Sequence, residues 1–89
     1  MNYEKIIHTL VDPFLENADA LLIRQMPSEN EKDIVILVCA NSEDTARLIG
    51  RKGVIADALR EVISIAGKTE NKHIHLKFES FDKSEKEED

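Results

Sequence analysis

The sequence predicts an α+β domain in which helices cover one face of a three-stranded sheet, in the order helix, strand, strand, helix, helix, strand. Three observations carry that expectation. Apolar residues recur at helical spacing in one segment near the start of the chain and in another after a Gly-x-x-Gly turn at Gly50 to Gly53. Two apolar runs of strand length share a turn-rich connection, and a late segment alternates apolar with polar residues.

Tyr3, Ile6, Ile7, Leu10, Val11 and Phe14 fall at helical spacing, and Pro13 ends the regular helix near Val11 or Asp12 because it supplies no amide to the preceding turn. Ala20 to Met26 and Asp33 to Ala40 are the two apolar runs. The stretch from Pro27 to Lys32 joins them as an antiparallel hairpin. Asn41, Ser42, Glu43 and Asp44 then offer a cap and first-turn carboxylates to a short helix running to about Ile49. After the glycine turn, Ile55, Ala58, Leu59, Val62, Ile63 and Ala66 resume the helical repeat, with Gly67 placed to end it. Ile74, Leu76 and Phe78 alternate with His73, His75, Lys77 and Glu79, the pattern of a strand with one buried face. Tyr3, Phe14 and Phe78 are expected on buried faces. From Asp82 onward apolar residues are absent, so residues 82–89 are expected to be a disordered acidic tail beyond a single domain of residues 1–81.

A chain of 89 residues fits one small core, and such domains often gain stability from a partner. The longest uncharged apolar run, Ile34 to Ala40, falls well short of the roughly 20 residues a membrane span requires, so no membrane segment is expected. The start of the chain lacks the features of a secretory signal. Cys39, the lone cysteine, has no disulfide partner, which makes the cytoplasm the expected compartment. Cys39 lies within an apolar run with no histidine beside it and reads as a small hydrophobe rather than a nucleophile.

The net charge of −6 argues at first against a nucleic-acid ligand. Its distribution weakens that objection. Asp82 to Asp89 hold five acids against Lys83 and Lys86, a net of −3 and half the excess, whereas Thr45 to Ala56 contains Arg47, Arg51 and Lys52 and no acid. Within that positive island, Gly50 and Gly53 let the backbone turn tightly and approach another molecule without a Cβ in the way. The turn leads into the amino end of the next helix, where unpaired amides attract anions and Arg51 and Lys52 add full charges.

The stretch from Leu48 to Arg60, with Ile49-Gly50-Arg51-Lys52-Gly53 between two helices, resembles the signature of KH domains, and the element order resembles the type II arrangement. More specifically, residues from about Asn2 to Phe81 resemble the small single-KH-domain bacterial family called KhpA or YlqC-like. The resemblance implies a mixed sheet, binding of single-stranded RNA in a post-transcriptional or chaperone-like role, homodimers, and pairing with a second KH protein of the KhpB (Jag) type. It implies that Gly50, Arg51, Lys52 and Gly53 clamp the sugar-phosphate backbone of about four nucleotides, with Arg47 contributing to the same positive island. Ile49 and Ile55 would line an apolar floor for the bases. Val54 and Asp57 depart from the family, in which basic residues are commoner at those places. With so few aromatic residues, bases would be held by aliphatic contact and hydrogen bonds rather than by stacking platforms.

At about 100° per residue, the apolar residues from Val54 to Ala66 span an arc of roughly 200°, wider than one sheet covers. Val54, Val62 and Ile65 are therefore candidates for a dimer interface. His73 and His75 share a strand face but lack further ligands at suitable spacing, His8 has no base or nucleophile partner, and no metal or cofactor is expected. No spacing suggests a catalytic triad or a dinucleotide fold, so a binding module and not an enzyme is expected. The competing reading is a protein-interaction module that uses the same fold to hold another chain.

Overall fold

Asn2 caps the first helix: its side chain accepts a hydrogen bond from the amide of Lys5 (3.0 Å), and helix α1 runs over Tyr3–Val11. In this computed structural model, which describes residues 2–81, strands β1 (Leu22–Met26) and β2 (Asp33–Ala40) follow. Helices α2 (Ser42–Ile49) and α3 (Val54–Lys68) come next, then strand β3 (His73–Ser80). The tail expected over 82–89 lies outside the described residues. The sheet order is β1-β2-β3, with β1 antiparallel to β2 and β2 parallel to β3. The parallel pair needs a crossover, and α2 and α3 supply it. The α+β class and the mixed sheet thus stand as expected.

Alternation along the strands divides the sheet into a covered and an open face. Ile36, Val38 and Ala40 of β2 point under the helices and join Ile7, Val11, Leu48, Ile63 and Leu76 in the core. Val35, Leu37 and Cys39 look the other way. At one end of the sheet, Thr45 of α2 donates its hydroxyl to the carbonyls of Ala40 (3.2 Å) and Glu79 (3.3 Å). That bond ties the first turn of α2 to the ends of the two parallel strands.

Three expectations are corrected. Strand β1 starts at Leu22 instead of Ala20, because Ala18–Ala20 closes a 3₁₀ turn in which the amide of Leu21 donates to the carbonyl of Ala18 (3.1 Å). Phe14 is not buried: it ends a second 3₁₀ turn, Asp12–Phe14, and is 47% exposed. Gly67 does not end α3 but lies within it, where a Cβ would come within 2.6 Å of Ile74 Cγ1 and 2.9 Å of the Lys72 carbonyl. The helix end is completed further on. Asn71 takes a left-handed conformation (φ 64°), and the amide of Lys72 returns to the Gly67 carbonyl (2.8 Å).

Candidate nucleic-acid interface

The turn between α2 and α3 is built from backbone conformations that glycine favours. Gly50 ends α2 with φ 77°, Lys52 is itself left-handed (φ 58°, ψ 22°), and Gly53 (φ 78°) opens α3 with no side-chain cap. The amide of Gly50 closes α2 on the Ala46 carbonyl (2.9 Å), and that of Gly53 closes the turn on the Gly50 carbonyl (3.1 Å). The two glycines serve differently. A Cβ on Gly50 would meet Ile55 Cγ1 at 2.7 Å, so Gly50 is required from within, whereas nothing stands within 4 Å of the place a Gly53 Cβ would occupy. The backbone over Gly53 is therefore open to an approaching molecule.

Arg51 and Lys52 are exposed, and neither side chain makes a hydrogen bond or ion pair with another described residue. Arg47, on α2, is placed otherwise. Its guanidinium binds Asp44 Oδ1 (2.7 Å) and Glu16 Oε2 (3.3 Å). Asp44 is fully buried and also accepts the amides of Glu16 (3.1 Å) and Asn17 (3.0 Å). Burial pushes that carboxyl up, but the two amides and Arg47 together hold it below the ordinary carboxylate value. Arg47 thus balances a buried carboxylate and pins the chain before β1, and the uncommitted positive charge of the region rests on Arg51 and Lys52.

Ile49 and Ile55 flank the turn on its two sides. Ile49 stands 38% exposed, while Ile55 packs beneath Gly50 and borders a groove of about 380 Å³ with Leu10, Phe14, Val54, Ala58, Leu59 and Val62, which Ile49 does not line. Val62 and Leu10 continue into a neighbouring hollow with Ile6 and Asn2. Val54 (61% exposed), Val62 and Ile65 (60%) are thus outward on one side of α3, and Val54 and Val62 line the groove toward α1.

Residues 4–78 match the family model described as KhpA/KhpB, KH domain. This chain belongs to that family. The KH domain is 29% identical over 73 residues to the RNA-binding protein KhpA of Listeria monocytogenes, covering 82% of this chain and 93% of that protein. It is 30% identical over 79 residues to the RNA-binding protein KhpA of Bacillus subtilis, covering 89% of this chain and 93% of that one.

Two features of this KH domain escape sequence reasoning. Asp44 reads as one more first-turn acid, and only the fold brings the amides of Glu16 and Asn17 to it across a separation of 27 to 28 residues. Arg60 reads as a solvated position on the polar side of α3. In the structure its Nε donates to the Leu76 carbonyl of β3 (3.1 Å), and its guanidinium lies over the Phe78 ring, 5.4 Å from the centroid. The one signal for it is spacing: Gly53, Asp57 and Arg60 follow at four and three residues and so share a face of α3.

Proposed function

We propose that this KH domain binds single-stranded RNA and that the Gly50–Gly53 turn grips the backbone of about four nucleotides. The observation that carries the reading is the turn itself, an outward loop with left-handed backbone at three of its four residues and two cationic side chains engaged by no described residue. The relatives named as RNA-binding proteins support it. Phosphate oxygens approach the open backbone at Gly53 and the uncapped amides of α3, while Arg51 and Lys52 supply the long-range attraction. Such contacts carry no base code, so the loop alone sets affinity and position rather than sequence. The role is post-transcriptional, in the manner of an RNA chaperone. Binding of short unrelated RNAs by the parent and by an Arg51→Asp/Lys52→Asp variant tests this, with loss in the variant expected for every RNA.

A second surface accompanies the first. The apolar groove between α1 and α3, with Val54, Val62 and Ile65 outward, is supported as a protein interface by its composition and by its place on the flank of α3 away from Asp57 and Arg60. Its occupant is a second copy of this chain or another KH chain of the KhpB type. Sedimentation of the parent and of an Ile65→Asp variant tests it.

A further inference from the structure

The two parallel strands differ in sequence pattern. β3 alternates apolar with polar residues, as a strand with one wet face does, whereas β2 is apolar without a break from Ile34 to Ala40. An unbroken run is the pattern of a strand buried on both faces, as the strands of a parallel pair usually are. Here the helices cover one face only. On the other, Leu22, Met26, Val35, Leu37 and Cys39 form an apolar stripe along β1 and β2, with Leu22 43% and Met26 39% exposed. Burial, reinforced by Glu79, pushes the Cys39 thiol above its ordinary value, so Cys39 counts as apolar here. A hollow of about 330 Å³ opens on this face between Met26, Val35 and Leu37 and the side chain of Lys77. No described element covers the stripe, and residues 82–89 hold no apolar side chain that could.

We propose that this open sheet face docks an amphipathic helix of another chain, one with carboxylates along both edges of its apolar stripe. The dimensions fit a helix. From Val35 to Cys39 the stripe runs about 13 Å, which the apolar residues of two to three helical turns cover. The charges then choose among helices. Arg24 and Lys77 are the register partners of Leu37 on its two sides, so two cations straddle the stripe on one rung, about 10 Å apart. That is the width of a helix. Both are exposed, and neither side chain makes a hydrogen bond or ion pair with another described residue. The acids of this face lie toward its ends: Asp33 is 3.4 Å from His75 Nε2, and Glu79 stands on the rung of Cys39. A helix with a Glu or Asp on each side of its apolar stripe therefore sets a carboxylate against each central cation. A second copy of this chain is the poorer occupant. Laid face to face about Leu37, along either two-fold axis in the interface, it would bring cation against cation. The proposal stands apart from the RNA-binding reading, and no arm of its test uses RNA.

The test titrates the full chain with two synthetic helical peptides of about 18 residues. They share a leucine stripe at helical spacing and differ only in the residues flanking it, Glu in one and Lys in the other. Backbone amide shifts in NMR spectra locate the binding. The Glu peptide should shift amides of β1, β2 and β3 and bind about tenfold more tightly than the Lys peptide. Because the chain carries a net charge of −6, non-specific attraction would favour the Lys peptide, so a preference for Glu reports the two cations. In an Arg24→Glu/Lys77→Glu variant the preference should reverse, and in an Arg24→Gln/Lys77→Gln variant it should vanish. The second variant decides if the first does not fold. Equal binding of the two peptides by the parent overturns the proposal, as does a preference unchanged in the variants. Shifts confined to the α1–α3 groove or the glycine turn, or no shifts with the Glu peptide at millimolar concentration, overturn it too. Sedimentation in which Leu37→Glu breaks a dimer that Ile65→Asp leaves intact would give the face to a second copy and end the proposal.

Discussion

Along one flank of α3, Gly53, Asp57 and Arg60 lead from the glycine turn to the Leu76 carbonyl of β3, and every group on offer is charged or polar. Along another flank, Val54, Val62 and Ile65 are outward, and Val54 and Val62 form an apolar groove with Leu10 and Phe14. Arg60 and Ile65 lie roughly 140° apart around the helix. Between the two flanks, Ala56, Leu59 and Ile63 are buried against the sheet. One helix of fifteen residues therefore separates a surface suited to a polyanion from one suited to a protein chain. The wide apolar arc read from the sequence resolves into two parts: about half is core, and half is surface. The comparison teaches that an amphipathic helix with an arc too wide for its own sheet can present two distinct surfaces without either crowding the other.

The sharpest way to break the comparison is to remove what separates the flanks. Ile63 is fully buried at the centre of the core, and Ile63→Ala should lower stability by about 3 kcal/mol and degrade both surfaces together, read by urea denaturation. Next come the two glycines. Gly50→Ala combines a left-handed φ with a clash on Ile55 and should cost about 2 kcal/mol, whereas Gly53→Ala meets open space and should cost about 1 kcal/mol from backbone strain alone. Equal losses at the two positions would contradict the different roles assigned to them.

Acid titration isolates the anchor behind α2. Because the carboxyl of Asp44 is held below its ordinary value, its contribution to stability is complete above about pH 4 and is lost as pH falls through the depressed folded value. Asp44→Asn should therefore lower stability at neutral pH and flatten the acid limb of the stability curve. An acid limb as steep as the parent's would place the titrating group elsewhere. The smallest effect on the fold belongs to Ile65→Asp, expected to change stability by less than about 0.5 kcal/mol while shifting the particle toward monomer in sedimentation. RNA binding per chain should persist in that variant if the two flanks are independent.

Much of this was legible in the sequence, and the residues that were not share a physical cause. The limits of β2 and α2 follow from local signals: the apolar run Asp33 to Ala40, the Asn41 cap, and glycine at the end of α2. The turn at Gly50 to Gly53 is local too, since the groups that shape it, from the Ala46 carbonyl to the Ile55 side chain, lie within a few residues of it. Phe14 misled because Pro13 starts a 3₁₀ turn that takes the following side chain off the helical stripe. Gly67 misled because its role is a close approach to Ile74, a contact across the helix-to-strand turn that resembles a stop signal when seen in one dimension. Arg47 was grouped with Arg51 and Lys52 by proximity in the chain. Asp44 engages it from three residues earlier on α2, whereas Glu16 reaches it only when the segment before β1 folds back onto α2. Arg60 was unreadable for the same reason, its partners being a carbonyl and a ring on β3.

The central claim, that the glycine turn holds RNA by its phosphates, is tested most directly by replacing both exposed cations, Arg51→Asp and Lys52→Asp, and measuring affinity for unrelated single strands across a range of salt. Both side chains are exposed, so melting should be unchanged. Affinity should fall at least about tenfold, or about 1.4 kcal/mol, for every strand. For about three neutralised phosphates, the parent's slope of log affinity against log salt should lie near about −2, and the variant's should be flatter. A folded variant that binds as tightly as the parent, with the same salt slope, would contradict the account and leave the apolar flank of α3 as the functional surface.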